Sequence, residues 1–194
     1  MMNKTHSNSK NLSSQLIIFA VISLVVCLTR FSHELTPLSL PDASLIAFVA
    51  GGLLLKKIRY LFFLLVAVFF IDFYAITIHQ YAEVTISISY FTHMLTHLIA
   101  WLIAKKWLSD RQLEIKRFFK ISAAIIVVTY FISYGSYYLL NTTATDTTFF
   151  NFMALDLKNF LITNFAYAII LLASIKIIDV MANQKKPKNS LLNN

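Results

Sequence analysis

Long apolar runs alternate with short polar segments along the whole chain. Six such runs predict helices at about 15–31, 43–55, 58–78, 84–104, 118–140 and 160–178. All except the second reach the roughly 17 residues that a helix needs to cross a bilayer. None alternates at period two, as the strands of a membrane barrel would. The pattern therefore predicts an all-α, polytopic membrane protein with a six-transmembrane-helix bundle.

Composition and the polar chain ends support this prediction. The chain is 58% hydrophobic and only 13% charged, which is too apolar for a soluble globule. Residues 1–14 and 183–194 are predicted to be polar tails, with the six-helix membrane domain at 15–182. No small-residue cleavage site follows the first run, so we expect a retained helix and not a signal peptide. The single cysteine, Cys27, excludes a disulfide framework.

The second apolar run is short for a membrane span. We expect this helix either to be buried among the others or to lie where the bilayer thins. Ala43, Ala47 and Gly51 recur every four residues along it. Small residues at this spacing predict close helix packing inside the bundle.

Lysine and arginine are distributed unevenly between the two sides of the predicted bundle. Of the seventeen, all except Arg30 and Lys158 fall on the side of the chain ends. Cytoplasmic loops carry an excess of these residues, so both termini are predicted to be cytoplasmic. Membrane topology thus accounts for the formal charge of +8, and the expected partner is the lipid bilayer and not nucleic acid.

Ionisable and aromatic residues gather toward the opposite, external end of the predicted helices. A charge at the centre of a membrane helix costs roughly 2.5–3.5 kcal/mol, so such residues are usually paired or functional. Asp72 is predicted to pair with Arg30 in preference to facing a polar cavity, and Asp42 to cap the second helix. Together the side chains predict a polar cup open to the outside. Its members are Arg30, His33, Asp42, Asp72, Tyr74, His79, Tyr90, His93 and His97.

The fourth predicted helix carries a polar stripe. Tyr90, His93 and His97 recur at i, i+3 and i+7 and share one face. The stripe is either a wall that contacts a ligand or metal ion, or a set of hydrogen bonds to neighbouring helices. The sequence shows no zinc-protease pattern, catalytic triad or nucleotide-binding glycine loop, so enzymatic activity is not expected.

Three segments carry a resemblance to a known family: TRFSHELTPLSLPDASLIAFVAGGLLL, VFFIDFYAI and SYFTHMLTHLIAWLIAKKW. The matching features are PDAS at 41–44, Asp72 and Tyr74 at the end of the third span, and the spacing from Tyr90 to Trp101. Over about 29–107 the chain resembles the S-components of energy-coupling-factor vitamin transporters. Among these it is similar to the small solitary cobalamin transporters.

The resemblance implies an S-component fold in a bacterial inner (cytoplasmic) membrane, with one vitamin molecule bound at the external face. Cobalamin or a related corrinoid would be the transported substrate, with no further cofactor. An energy-coupling module is the expected partner, unless the protein works alone. The residues expected to bind the substrate are Arg30, His33, Asp72, Tyr74, Thr85, Tyr90 and His93.

One position departs from the cobalamin group. There, a cysteine in the loop before the fourth helix is associated with cobalt ligation and removal of cyanide from cyanocobalamin. The corresponding position falls near Thr85, and a hydroxyl cannot replace a thiolate as a soft ligand. Decyanation is therefore not expected. Either His93 or His79 approaches cobalt, or aromatic and polar contacts alone hold the corrin.

Two other functions stay open from the sequence. A metal- or haem-binding membrane protein would use His93 and His97, with His79 or His33 as further ligands. A helical scaffold without transport would use the same polar groups only for hydrogen bonds between helices.

Overall fold

Helices make up almost all of the chain that the structure describes. The computed structural model describes residues 3–30, 40–79, 87–109, 113–140 and 148–184, without the side chains of 3–11, 78–79 and 182–184. These ranges hold the helices α1 Asn3–Arg30, α2 Ser44–Leu54, α3 Arg59–His79, α4 Ile88–Leu108, α5 Ile115–Leu140 and α6 Phe149–Gln184. The predicted all-α, six-helix architecture is confirmed.

Four of these helices, α1, α3, α5 and α6, are long and apolar enough to cross a membrane. Only 17% to 44% of each apolar window is buried, so most of this surface faces outward, as contact with lipid requires. The α4 helix is long enough, but its histidines and threonines make it less apolar. The molecule is therefore a membrane-embedded helical protein, and the predicted side of its termini stays a prediction.

Several helix boundaries differ from the predicted ones. α1 begins at Asn3, so most of the predicted tail at 1–14 is helical. The sequence places the last span at about 160–178 and leaves 149–157 open as an interfacial helix or an early start to that span. The early start is present: α6 begins at Phe149, and no glycine or proline interrupts the chain from there to Gln184. α4 begins at Ile88, and the predicted start at 84 lies outside the described residues.

The short helix α2 lies at the centre of the bundle. Every residue from Ser44 to Gly52 is buried, and the helix contacts α1, α3, α4 and α6. It approaches α4 so closely that a Cβ atom on Gly51 would overlap the Trp101 indole, and one on Gly52 would overlap the Trp101 carbonyl oxygen. The short run is therefore buried among the other helices, and its small residues pack inside the bundle as predicted.

Contacts at the helix ends show how the chain alternates in direction. At one end, the Gln15 side chain donates to the Leu54 carbonyl (3.2 Å) and accepts from the Lys56 amide (2.8 Å), which satisfies the end of α2. At the other end, Arg30 of α1 meets Asp42 before α2 and Asp72 of α3. We call the latter the Arg30 end; it is the end predicted to be external.

Candidate functional site

A network of charged and hydroxyl groups ties α1, α2, α3 and α4 together at the Arg30 end. Arg30 donates through Nη1 to both carboxylate oxygens of Asp72 and through Nε to Ser44 Oγ (2.8 Å). Its Nη2 lies 3.3 Å from Asp42 Oδ2, and only 9% of its side chain is exposed. The Tyr90 hydroxyl donates to Asp72 Oδ2 (2.9 Å). The predicted pairing of Asp72 with Arg30 is confirmed, and we call these five residues the ion-pair network.

Asp42 belongs to the network and also caps α2. Its Oδ1 accepts from the Ser44 amide (2.8 Å) and from Ser44 Oγ (2.5 Å). The N-cap position is Ala43, so Asp42, the predicted cap, acts from one residue before it. Desolvation would raise the pKa of Asp42, but the Arg30 charge and the Ser44 hydrogen bonds outweigh it and lower the pKa to about 2. Asp42 is therefore ionised at neutral pH.

Beside the network, a cavity of about 530 Å³ opens between the start of α2 and the helices α4, α5 and α6. Its volume falls within the range of about 300–1,000 Å³ that is typical of small-molecule sites. The cavity is lined by Pro41, Asp42, Leu45, His93, His97, Thr129, Tyr134, Asp156, Asn159, Phe160, Ile162, Thr163 and Asn164. The Tyr167 hydroxyl donates to the Pro41 carbonyl (2.7 Å) and holds the start of α2 against α6.

The two histidines of α4 form one wall of the cavity. His93 Nδ1 lies 2.5 Å from Ser133 Oγ on α5, so the hydrogen bonding between helices that the sequence offered as one interpretation is present. His97 Nδ1 lies 3.0 Å from the His93 carbonyl oxygen. Because a carbonyl oxygen can only accept, Nδ1 must carry a hydrogen and act as the donor. In its neutral form His97 therefore has Nε2 as an acceptor.

The opposite wall belongs to α6 and was not foreseen from the sequence. Asp156, Asn159, Thr163 and Asn164 follow one another at i, i+3, i+7 and i+8, so they share a face; we call them the α6 wall. This spacing could have been found in the sequence. It was missed because the sequence left 149–157 open between an interfacial helix and an early start to the last span, so Asp156 and Asn159 were not placed on one helix face with Thr163 and Asn164.

Hydrogen bonds orient two members of the α6 wall. The Tyr134 hydroxyl of α5 donates to Asp156 Oδ2. Asn164 Nδ2 donates to the Phe160 carbonyl (2.9 Å), whereas Asn164 Oδ1 is buried without a hydrogen-bond partner. An unsatisfied buried acceptor costs about 1–3 kcal/mol, so this oxygen requires an explanation.

The structure separates the residues predicted to bind substrate into groups. His93 lines the cavity, whereas Arg30, Asp72 and Tyr90 lie in the ion-pair network beside it. Tyr74 is 43% exposed on α3 and does not line the cavity. His33, Thr85 and the side chain of His79 lie outside the described residues.

A metal centre would need a set of converging ligands. Within the described part of the chain, no group of three or more histidine, cysteine, aspartate or glutamate residues could hold a metal ion. His93 and His97 adjoin, with ring centroids 4.7 Å apart, but they are only two ligands.

Comparisons with known proteins do not identify the chain. No protein-family model matches it, and no curated protein matches it. Its function is therefore argued from the cavity, the network and the residues that form them.

Proposed function

We propose that this protein is an S-component-like uptake protein of a bacterial inner membrane that binds a vitamin, first of all cobalamin or a related corrinoid. The observation that carries the proposal is the cavity at the Arg30 end of the bundle, because it combines apolar and polar lining residues at one end of membrane-embedded helices. The resemblance over about 29–107 supplies the substrate class.

The cavity suits the edge of a corrin. Leu45, Phe160 and Ile162 offer apolar surface, and the two walls offer hydrogen-bonding groups. A corrin ring has a largely apolar face and polar side chains around its edge. Cobalamin is larger than about 530 Å³, so one edge would enter the cavity while the rest extends beyond the helix ends.

In this proposal His93 contacts the ligand directly, and Arg30, Asp72 and Tyr90 act by holding Asp42 and the helix ends in place. Polar and aromatic contacts hold the corrin, and the alternative is a bond from an imidazole Nε2 to cobalt. Replacement of an axial cobalt ligand changes the visible spectrum of a corrinoid, so absorbance during titration distinguishes the two.

Transport would follow from binding at the outer face and a reorientation of the protein. The protein would either work with an energy-coupling module or, if it is solitary, transport the vitamin without one. Neither version requires a catalytic residue.

Calorimetric titration of the detergent-purified protein with cobalamin and cobinamide tests the proposal, with riboflavin and thiamine as controls. We expect micromolar or tighter binding of the corrinoids alone. If a control vitamin binds and the corrinoids do not, the proposed substrate becomes that vitamin. If none of the four binds, the vitamin-uptake proposal is refuted.

A matched pair of variants tests the cavity as the site. His93→Ala should weaken corrinoid binding by about tenfold, because a side chain of the cavity wall is lost. Thr92→Ala is the control, since Thr92 lies on the same helix, does not line the cavity and only bonds the Ile88 carbonyl. Equal affinities of the two variants would contradict the assignment of His93.

A metal- or haem-binding protein is the second candidate, because His93 and His97 adjoin and both line the cavity. It predicts metal in the purified protein, or a Soret band that is lost in His93→Ala and His97→Ala. Such a result with no corrinoid binding would replace the first proposal.

A further inference from the structure

Negative charge is in excess around the cavity. Asp42 and Asp156 line it, and no lysine or arginine is found among the described residues that do so. The neighbouring cation is Arg30, which is shared between Asp42 and Asp72, so one guanidinium group faces two carboxylates. An anionic ligand group would therefore lose its hydration beside negative charge without a free positive partner.

Asp156 is the carboxylate of the lining that lacks a cation. Its Oδ2 accepts from the Tyr134 hydroxyl, but no ion pair to Asp156 is found within the described ranges. Lys158 is close in sequence, but it is exposed, and side chains two residues apart on a helix do not face each other. A carboxylate within a membrane-crossing helix is usually paired or functional, so Asp156 favours a positively charged ligand group.

Two further groups of the lining are buried and lack a partner. Thr129 is 4% exposed, and no hydrogen bond to its hydroxyl is found among the described residues, although Thr29 and Thr77 each bond the carbonyl four residues earlier. The Thr129 hydroxyl keeps accessible surface, in contrast to the enclosed Asn164 Oδ1. His97 is 2% exposed, and its one hydrogen bond to a described residue uses Nδ1, which leaves Nε2 as an acceptor. Buried polar atoms are usually hydrogen-bonded, so these two indicate a ligand in the cavity.

Aromatic rings lie beside Asp156 in the lining. Tyr134 and Phe160 both line the cavity, with ring centroids 6.0 Å apart and ring planes at 78° to each other. The face of an aromatic ring attracts a cation that lies within about 6 Å of its centroid. Rings of this kind recognise ammonium groups whose nitrogen is surrounded by carbon atoms, and a carboxylate beside them adds the opposite charge.

The cavity suits an organic cation better than a bare metal ion. Its volume of about 530 Å³ is typical of sites for small molecules. Within the described part of the chain, no group of three or more histidine, cysteine, aspartate or glutamate side chains could hold a metal ion. The positive group would therefore be a nitrogen that carries carbon substituents.

We infer that the cavity binds an organic ammonium group, placed between the Asp156 carboxylate and the rings of Tyr134 and Phe160. Asp156 supplies the opposite charge, and the rings contact the carbon atoms around the nitrogen. The Thr129 hydroxyl and His97 Nε2 accept from N–H or O–H groups next to the ammonium group. The inference goes beyond the proposed function, because it concerns the charge of the bound group and does not require a corrinoid.

The test compares a cation with an uncharged molecule of the same shape. Choline carries a quaternary ammonium group, and 3,3-dimethylbutan-1-ol has a carbon atom in place of that nitrogen. Calorimetric titration of the full-length protein in a maltoside detergent, which has no ammonium group, should show choline binding at least about tenfold more tightly. Sodium chloride at the same concentration controls for ionic strength. Equal binding of the two molecules, or binding of neither, would overturn the inference.

A matched pair of variants assigns the preference to the cavity. Asp156→Asn removes the charge and keeps an oxygen for the Tyr134 hydroxyl, so choline should bind at least about tenfold more weakly while 3,3-dimethylbutan-1-ol is unaffected. Asp179→Asn is the control, because Asp179 is an exposed carboxylate of the same helix that does not line the cavity. Equal choline affinities of the two variants would overturn the assignment.

A second variant covers the case in which Asp156→Asn does not fold. Thr129→Val keeps the shape of the side chain and removes a hydroxyl without a partner among the described residues, so stability should be kept. Choline should bind about threefold or more weakly, because its hydroxyl loses an acceptor. An unchanged affinity in this variant would place choline outside the cavity and overturn the inference.

The ammonium group belongs either to a free small amine or to a larger ligand, and thiamine, which carries a quaternary nitrogen, separates the two. Micromolar choline would indicate a free amine, whereas millimolar choline with much tighter thiamine would indicate a larger ligand. The inference and the proposed function fail separately. Corrinoid binding without a preference for choline would overturn only the inference, and choline binding without corrinoid binding would refute only the proposed substrate.

Discussion

Two polar clusters share the Arg30 end of the bundle, and they differ in how fully their groups are satisfied. In the ion-pair network, Arg30 is partnered by Asp42 and Ser44 at the start of α2 and by Asp72 of α3. In the cavity lining, Asn164 Oδ1 is buried without a partner, and of the two lining carboxylates only Asp42 has an ion pair among the described residues. The network has the features of a structural clamp, whereas the cavity is the proposed binding site.

Asp42 joins the two clusters. It pairs with Arg30 on one side and lines the cavity on the other. A ligand in the cavity would therefore rest against a carboxylate whose position the network determines. The comparison predicts that network variants change stability first and cavity variants change binding first.

The largest effect is expected for Arg30→Ala, which leaves Asp72, whose side chain is only 16% exposed, without its cation. Breaking a buried ion pair from one side costs about 3–5 kcal/mol, so the free energy of unfolding should fall by about that amount. Thermal unfolding in detergent, followed by circular dichroism, measures it. Lys106→Ala removes a cation from an exposed position of α4 and should change the free energy of unfolding by less than about 0.5 kcal/mol. Similar losses in the two variants would contradict a clamp.

A smaller loss is expected for Tyr90→Phe, which removes one hydrogen bond to the Asp72 carboxylate. Hydrogen bonds to charged groups contribute about 1.5–3 kcal/mol, and stability should fall by about that amount. Tyr60→Phe is the control, because the Tyr60 hydroxyl is buried without a partner and its removal should be neutral or stabilising. Cobinamide affinity should stay unchanged in Tyr90→Phe; a parallel loss of affinity would place the ligand against the network, as the family resemblance implies.

Asn164→Leu should show the opposite combination. The variant keeps a similar volume and removes the unsatisfied oxygen, so stability should stay constant or rise by up to about 1 kcal/mol. Binding of cobinamide should weaken at the same time, because an apolar side chain replaces a polar one in the cavity lining. Unfolding and titration of one sample measure both quantities. Lower stability with unchanged binding would show that Asn164 is a structural residue.

Much of this architecture follows from local sequence patterns. Apolar runs predict the helices, and Arg30 and Asp72 are predicted to pair because each is a lone charge at the same end of a span. The sequence predicted the burial of α2 only as one of two alternatives, the other being a short span in a thinned bilayer. A run of that length admits both, and the choice depends on how α1, α3, α4 and α6 surround it.

The cavity could be predicted only in part, because its walls come from distant parts of the chain. The sequence predicts that Tyr90, His93 and His97 share one helix face. In the structure Tyr90 bonds Asp72, whereas the two histidines line the cavity. Which side of a polar stripe meets a partner depends on the neighbouring helices. The facing wall could not be paired with it, since no local pattern relates Asn164 to His93.

The smallest effect concerns pH and separates the two roles of Asp42. Its pKa in the folded protein is lowered to about 2, so its contribution to stability is complete above its ordinary pKa and is lost as the pH falls toward 2. Because 46% of the Asp42 side chain is exposed, this contribution should be only about 0.2–1 kcal/mol. Unfolding at pH 7 and pH 3 should show a slightly smaller acid-induced loss in Asp42→Asn than in the wild type. If the two losses are equal, Asp42 adds nothing to the clamp and serves only the cavity, and Arg30 then stabilises the bundle through Asp72 alone.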